Sequence, residues 1–573
     1  MHKIVDRFRA IAVAVFILPL LCCFATAAAA GSDPCPRPAE GSAITPPPDI
    51  YSQNGVLNVT LDYYTMVDQW GRTLFCYVTP DGMEAPSLHV NPGDLIKIQL
   101  TNMESNGGTI LGSGVETVSG EKVKCGSQTM EPTSINIHFH GLNVKPRCHG
   151  DEIIRTIVNP GESFYYNFQV PTDEPPGMYW YHAHVHGIAS PAVQGGASGA
   201  LEVEGIANIQ PAVAGLPQRF LVFRDQPLQN PAKHQHVQQE VPFWDVSLNF
   251  VPVPFPRYVP GVIQMQAGAQ EFWRFVNASA DTVADLKLLY DGKAQPLQIV
   301  AFDGVPTGSQ YARHQGTIIT QTDVLVPPAG RAEFIVTGPS SSVKSAMLIT
   351  ERINTGPAGD HDTQRPLAQI QLTKDMKKIP KPILPIAGEV PGDRFAGIDD
   401  SMVTAKRKLY FSEFAGEHQP TGGATFFITV DKEIPQAYDP NEPPKIITHR
   451  GAIEDWTIEN HTQEVHEFHI HQIHFQVVAI DGKPVPNRKR QWYDTYQVGY
   501  YDGVSKHYPS VTLRMDFRGK IEGEFVYHCH ILDHEDAGMM ANIVITPPLP
   551  PKGRESSVPT HQASTGNGKL KKA

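Results

Sequence analysis

The residues best placed to do chemistry lie in one stretch, His528 to Met540, which reads HCHILDHEDAGMM. Cys529 stands between His528 and His530, and His534 and Met539 follow it by five and ten positions. In an extended strand successive side chains point to opposite faces. Cys529 would then face one way and His528 with His530 the other, so one strand could serve two metal centres. Cys529, His534 and a further histidine make a trigonal His2Cys set with Met539 as a weak axial sulfur, the donor pattern of a blue copper site. Met540 is the alternative axial sulfur. Taken alone, Cys529 reads as a buried core cysteine. Three more His-x-His pairs argue against that: His138 and His140 in INIHFHG, His182 and His184 in YWYHAH, and His469 and His471 in VHEFHIHQ. His466 precedes the last pair and supplies the missing imidazole. Eight paired imidazoles on strand-like segments fit metal coordination better than chance alternation on solvated strands.

Four motifs, HFHG, WYHAH, HEFHIH and HCHILDHEDAGM, make this sequence resemble a multicopper oxidase of the three-domain, laccase-like type. The resemblance implies four copper ions. His138 and His469 would hold the type 2 ion, and His140, His182, His184, His471, His528 and His530 the type 3 pair. His466, Cys529, His534 and Met539 would hold type 1. It also implies that a small reductant gives single electrons to type 1, and that these pass through Cys529 to the cluster, where O2 becomes water. Phe139 stands where the family usually has Trp, and Glu467 where Pro is common. Neither is a ligand position, so the departures bear on redox tuning and not on ligation.

Making water from O2 consumes protons, and general acids must supply them. Asp151 and Glu535 resemble the family's proton-supplying carboxylates. The alternatives are that Asp151 caps a turn in CHGDE and that Glu535 orients histidines. His186 and His474 read as outer contacts of the cluster or as loop. His234 and His236, in KHQHVQQE, read as a solvated loop that could hold a stray metal.

A chain of 573 residues has room for three or four domains. Its net charge of −12 and short basic runs speak against nucleic-acid partners. Fifty prolines and 48 glycines suit many short strands joined by turns. Residues 1–30 have the layout of a secretory signal: Lys3, Arg7 and Arg9, an apolar run from Ile11 to Leu21, then small residues from Ala25 to Ala30. That run is short for a membrane span, and no later segment approaches one. A periplasmic or secreted protein is expected. A lipid anchor on Cys22 is the lesser reading, because Leu21 stands where a small residue is wanted. Beyond the signal, Cys35, Cys76, Cys125 and Cys148 can pair in an oxidising compartment. Three connectivities are open, and a Cys125–Cys148 bridge would brace the loop carrying His138 and His140.

An internal repeat sets the architecture. VNPGDLIKIQLTN at 90–102, MQAGAQEFWRFVN at 265–277 and THRGAIEDWTIEN at 448–460 each place a glycine before an alternating strand that ends in asparagine. Period-two alternation predicts half-buried strands in paired sheets. The expected fold is all-β, with three Greek-key sandwiches of the cupredoxin type that the resemblance implies. These span about residues 50–205, 215–375 and 402–548, followed by a disordered tail at 549–573. Four cluster histidines fall in the first domain and four in the third. The cluster would lie between those two, with the second as a spacer. No methionine-rich insert precedes His528, so small organic reductants, above all phenols, are the expectation. Cuprous or ferrous oxidation is the alternative, and a non-catalytic scaffold a more distant one.

Overall fold

The computed structural model describes residues 33–549, apart from 105–109, 112–124, 128, 230–239, 311–315, 374–379, 388–393 and 416–423. The signal-like segment, His234 and His236, and the tail from residue 550 lie outside the described residues.

The alternation in the repeat becomes burial. In Leu95–Asn102 the side chains of Ile96, Ile98 and Leu100 are buried while those between them face outward. Val56–Val67 buries Leu57, Val59, Leu61 and Tyr63 in the same way. A strand patterned like this has to cover its apolar face with a second sheet. Six sheets do so in three pairs. Two five-stranded sheets enclose Leu57, Ile98, Tyr179 and Leu201. An eight- and a six-stranded sheet enclose Phe223, Trp273, Leu286 and Phe334. A seven- and a five-stranded sheet enclose Leu409, Trp456, Phe468 and Tyr527. Among the described residues the helices are short, and none is long and apolar enough to cross a membrane.

The three pairs share one centre. Val56–Val67 runs parallel to Leu95–Asn102, which runs antiparallel to Ser163–Gln169. Gln218–Pro227, Gln270–Asn277 and Arg331–Thr337 repeat that arrangement, and so do Ala405–Ala415, Ile453–Asn460 and Ser510–Asp516. Parallel neighbours cannot be joined by a hairpin, so each pair contains a long crossover. Every middle strand is entered through a glycine with positive φ: Gly93 at 90°, Gly268 at 67° and Gly451 at 94°. Residues with a Cβ adopt that conformation only at a cost. Every middle strand also ends in a buried asparagine whose amide nitrogen donates to two carbonyls. Asn102 reaches Thr133 and Val158, Asn277 reaches Thr282 and Val326, and Asn460 reaches Glu464 and Gly499, all at 2.7–3.0 Å. The repeated asparagine is therefore a latch that ties down the adjoining loops.

Two segments between the sheets are less independent than their sequences suggest. Ile44, ahead of the first sandwich's strands, packs into the second core, and Ala43 pairs with Val262. The described part of the proline-rich stretch after residue 376 lies against the protein. Its Ile383 packs with Ile206, Val213 and Phe272, and Asn208 hydrogen-bonds to both the N–H and the carbonyl of Ile386. Disulfides join Cys35 to Cys76 and Cys125 to Cys148.

Candidate metal centre

The strand Gly523–Cys529 pairs antiparallel with His466–Ile470, placing Phe468 opposite Cys529 and His469 opposite His528. Residues opposite one another share a face. Cys529 and Phe468 thus turn into the third core, and His528 and His469 turn the other way. On the core side, Cys529 Sγ lies 3.6 Å from His466 Nδ1 and 3.8 Å from His534 Nδ1, and the two nitrogens are 3.0 Å apart. Cys529 and His466 are fully buried, and His534 is nearly so. The other imidazole nitrogen of His466 is engaged by Thr462 Oγ1 at 2.8 Å, which leaves Nδ1 for the common point.

Met539 joins the same core as Cys529, and its carbonyl accepts the Cys529 N–H at 3.0 Å. Met540 sits opposite His528 and packs with Ile153 and Val526 on the other side. The register therefore puts Met539, and not Met540, on the side of the residues that would hold the ion. Burial pushes the Cys529 thiol well above its ordinary range, so a bound cation is what would hold it as thiolate. The main-chain N–H of Glu467 donates to the sulfur at 3.4 Å, a hydrogen bond that the family's more common proline could not make.

On the opposite side eight imidazoles converge, all buried. His138 stacks on His471 with ring centres 3.9 Å apart, and His140 on His469 at 4.0 Å. His528 Nε2 lies 3.3 Å from His184 Nε2 and 3.2 Å from His471 Nε2. Ligand triads emerge among them, including His138 with His140 and His182, His138 with His469 and His471, and His184 with His471 and His528. His530 rounds off the group, its ring 5.1 Å from that of His140.

Whether metal fits here is decided by the nitrogens. His138 Nδ1 hydrogen-bonds to Asp151, His140 Nε2 to Asp494, His182 Nδ1 to its neighbour's carbonyl, and His469 Nδ1 to the carbonyl of Asp494. In each of these four rings the other nitrogen is buried with no hydrogen-bond partner, and in His530 both are. A buried polar atom left bare costs about 1–3 kcal/mol. Several bare lone pairs aimed at one region, with the opposite nitrogens anchored, is the arrangement of metal-bound imidazoles and their outer hydrogen bonds. Burial and the neighbouring rings hold these imidazoles well below their usual range, so they are neutral ligands. The donor set fits copper: thiolate with two imidazoles on one side, imidazoles alone on the other.

Carboxylates surround the cluster. Asp151 accepts from the Phe139 N–H at 2.9 Å and from Gln472 Nε2 at 2.6 Å, and it holds His138. Gln472 belongs to the third sandwich, so this acid also ties that sandwich to the first. Burial pushes the Asp151 carboxyl up to about 8, with the Phe139 and Gln472 hydrogen bonds acting against the rise. Glu535 lies 3.6 Å from both His184 Nδ1 and His528 Nδ1, with both oxygens otherwise bare, and burial pushes it well up. An Asp151→Asn enzyme should be reduced by substrate at the normal rate yet reoxidised by O2 about a hundredfold more slowly, the scale of a lost general acid. Stopped-flow traces with normal reoxidation would leave Asp151 a purely structural role.

One acid was invisible in the sequence. Asp494 is fully buried, 3.1 Å from His140 Nε2, and chelated by both terminal nitrogens of Arg331 at 2.7 and 2.5 Å. Asp303 accepts the Asp494 N–H. Arg331 comes from the second sandwich, so the supposed spacer reaches the cluster's outer hydrogen bonds. Gly141, which closes HFHG, makes room for this pair. A Cβ there would lie 2.5 Å from Arg331 Nη2 and 2.7 Å from Asp494 Oδ2. His474 belongs to the same layer, 3.0 Å from the Asp303 carbonyl. His186 stacks edge-on against Tyr438 and stands outside the cluster.

A buried cysteine–imidazole site back to back with an all-imidazole cluster, on three cupredoxin-type sandwiches, defines an oxidase with several copper centres. The comparisons agree. Family models described as multicopper oxidase match residues 101–207 and 416–548. A multicopper oxidase of Mycobacterium tuberculosis is 32% identical over 130 residues, which is 22% of this chain and 23% of that protein's length. One from Staphylococcus haemolyticus is 22% identical over 461 residues, 79% of this chain and 86% of that protein. Among solved structures, a multicopper oxidase variant from Aquifex aeolicus superposes with TM-score 0.63 at 18% identity, over 88% of this chain and all of that one. A Campylobacter jejuni multicopper oxidase titled a metallo-oxidase gives 0.61 at 21%, over 90% and 97%. The first and third sandwiches thus match multicopper oxidases in sequence and the three together match them in fold, and enzymes of that family carry four copper ions and use O2.

Proposed function

We propose that this protein oxidises a small cationic reductant, Fe(II) in first place, and passes the electrons to O2. Bound copper would supply one-electron exchange at the Cys529 site and the reduction of O2 to water at the histidine cluster. His466, Cys529, His534 and Met539 hold the first ion. His138 and His469 hold the type 2 ion, and His140, His182, His184, His471, His528 and His530 the type 3 pair. Cys529 joins the two sites through its own backbone to His528 and His530. Asp151 and Glu535 hold protons beside the cluster, and Asp494 orients His140. Four Fe(II) give up four electrons, and with four protons one O2 becomes two waters.

The observation that carries the choice of reductant is the recess at His534. Asp281, Asp360, Glu464 and Asp533 line it, no lysine or arginine does, and its volume is about 60 Å3. Glu464 Oε1 lies 3.6 Å from His534 Nε2. Burial first, and then the Glu413 carboxylate, push Glu464 up to about 9, so it keeps its proton until a cation takes the proton's place, and a bound cation would gain an ionised carboxylate there. Carboxylates suit hard cations better than soft Cu(I), and the recess is small beside the ~300–1,000 Å3 of typical organic ligand sites. The phenol expectation rested on what the sequence lacks over the blue site; the folded recess favours the metal-ion alternative.

Oxygen uptake with Fe(II), Cu(I) and 2,6-dimethoxyphenol measured side by side should give kcat/KM for Fe(II) about tenfold or more above the others, a difference of about 1.4 kcal/mol in transition-state stabilisation. Glu464→Gln combined with Asp360→Asn should raise KM for Fe(II) and leave the phenol unchanged. A clear preference for the phenol would restore the laccase reading.

We also place the protein in the periplasm or outside the cell, supported by the signal-like residues 1–30 and by two disulfides. Mass spectrometry should find a mature N-terminus near residue 31 and peptides linking Cys35 to Cys76 and Cys125 to Cys148. Reduced thiols in all four would contradict an oxidising compartment.

A further inference from the structure

We propose that the cavity between the second and third sandwiches is a binding site for a neutral, planar aromatic molecule bearing hydroxyl, methoxy or carbonyl oxygens. It encloses about 440 Å3 and shares no residue with the recess at His534. That volume falls in the range of sites for small organic ligands.

Its lining states the chemistry of the occupant. Phe302, Tyr493 and Tyr496 form an aromatic wall, with ring centres 5.4 Å apart for the first pair and 5.3 Å for the second. Val324, Val326 and Val511 face into the same space. Leu325 and Ile480 line it as well, yet they are 44% and 41% exposed, an apolar edge that the protein itself leaves uncovered. Aromatic rings prefer offset or edge contacts with further rings, so a flat ligand gains most from this wall.

The charged groups are few, and each is already engaged. Arg331 is chelated by Asp494, and Asp303 accepts the main-chain N–H groups of Arg331 and Asp494. Asp481 accepts the Ser510 N–H. The one cation of the lining is chelated, so an anion finds no partner there, and Asp481 is exposed to water at the rim, so the enclosed wall itself favours an uncharged ring. Tyr493 and Tyr496, both half-buried, also bring hydroxyl groups to this wall, and a phenolic hydroxyl can donate to a ligand oxygen. Gln497, on the same wall, donates to Glu467 at 2.8 Å, and Val498 next to it pairs with His466. One strand therefore separates this cavity from the Cys529 site.

The test uses the copper-loaded protein and 3,4-dimethoxybenzyl alcohol, a non-phenolic probe that resists direct oxidation at a methionine-ligated blue site. Calorimetry should show one binding event. Leu325→Trp, which closes the mouth from an exposed position, and Tyr496→Leu, which removes part of the wall, should each weaken binding tenfold or more. Glu464→Gln, in the other recess, should leave the affinity unchanged. Each variant must keep its blue absorption, which reports an intact third sandwich. Undiminished binding by both cavity variants, or loss of binding in Glu464→Gln, would overturn the proposal, as would the absence of any binding heat in the unaltered protein. None of these outcomes alters the Fe(II) measurements, so the two readings stand or fall separately.

Discussion

A Cys529→Ser protein should lack the blue absorption and all oxidase activity while retaining the copper of the histidine cluster. Serine is nearly isosteric with cysteine, so the third core would keep its packing. The hydroxyl is a hard, weakly acidic donor, and it cannot replace the thiolate that sets the colour and potential of such a site. Burying it without a strong partner should cost about 1–3 kcal/mol of stability. The eight cluster imidazoles are untouched, because strand alternation turns His528 and His530 away from residue 529. Their outer anchors, Asp151, Asp494 and main-chain carbonyls, do not involve the sulfur. Copper per chain should therefore fall by about one ion, read by elemental analysis beside the visible spectrum. A serine variant that stayed blue would refute the assignment of Cys529.

The second large effect is expected at a residue that binds no metal. Arg331→Met should cost about 3–5 kcal/mol, the range for removing one partner of a buried ion pair. It would leave Asp494 without its chelating partner in a site fully closed to water. The damage should extend to metal. Asp494 holds His140, and its carbonyl holds His469; losing such an outer contact typically weakens metal affinity by about 10–100-fold. Arg331→Lys should rescue little, since a single ammonium cannot chelate both carboxylate oxygens. Competition with a chelator, compared between wild type and the two variants, measures the effect directly. Wild-type copper retention in Arg331→Met would reduce Asp494 to a structural acid. The blue band should persist in both variants, because no contact of Arg331 reaches Cys529.

These two predictions differ in how visible their residues were beforehand. Cys529 and the paired histidines announce themselves because a strand's period of two is short. Ligands on one face must recur at i and i+2, and His138/His140, His182/His184 and His469/His471 do. The repeat at Gly93, Gly268 and Gly451 was readable for the same reason, since a turn and an alternating strand are local patterns. Asp494 and Arg331 carry no such pattern. They stand 163 positions apart, and Asp494 lies 354 positions from His140. Only the packing of three sandwiches brings them together. The carboxylates over His534 are equally scattered: Asp281 and Asp360 come from one sandwich, Glu464 and Asp533 from another. The absence of a methionine-rich insert is a local feature and legible in the sequence, whereas nothing local assembles four distant acids around one imidazole. Ile44 crossed into the second core for a similar reason, because an isolated apolar residue in a loop does not say which sheet it will cover.

The division of the cluster between two distant stretches of chain also dictates when it can come into being. Half of its ligands emerge with His138 to His184, and the rest arrive only after His469, His471, His528 and His530 have been made. An incomplete chain thus holds no finished oxygen-reactive centre. Binding that favours the native state alone stabilises it by mass action, so copper entering the completed cluster also clasps the first and third sandwiches together. Biogenesis then has a built-in order, with polypeptide first and metal last, and reactive oxygen chemistry cannot begin on a half-made protein.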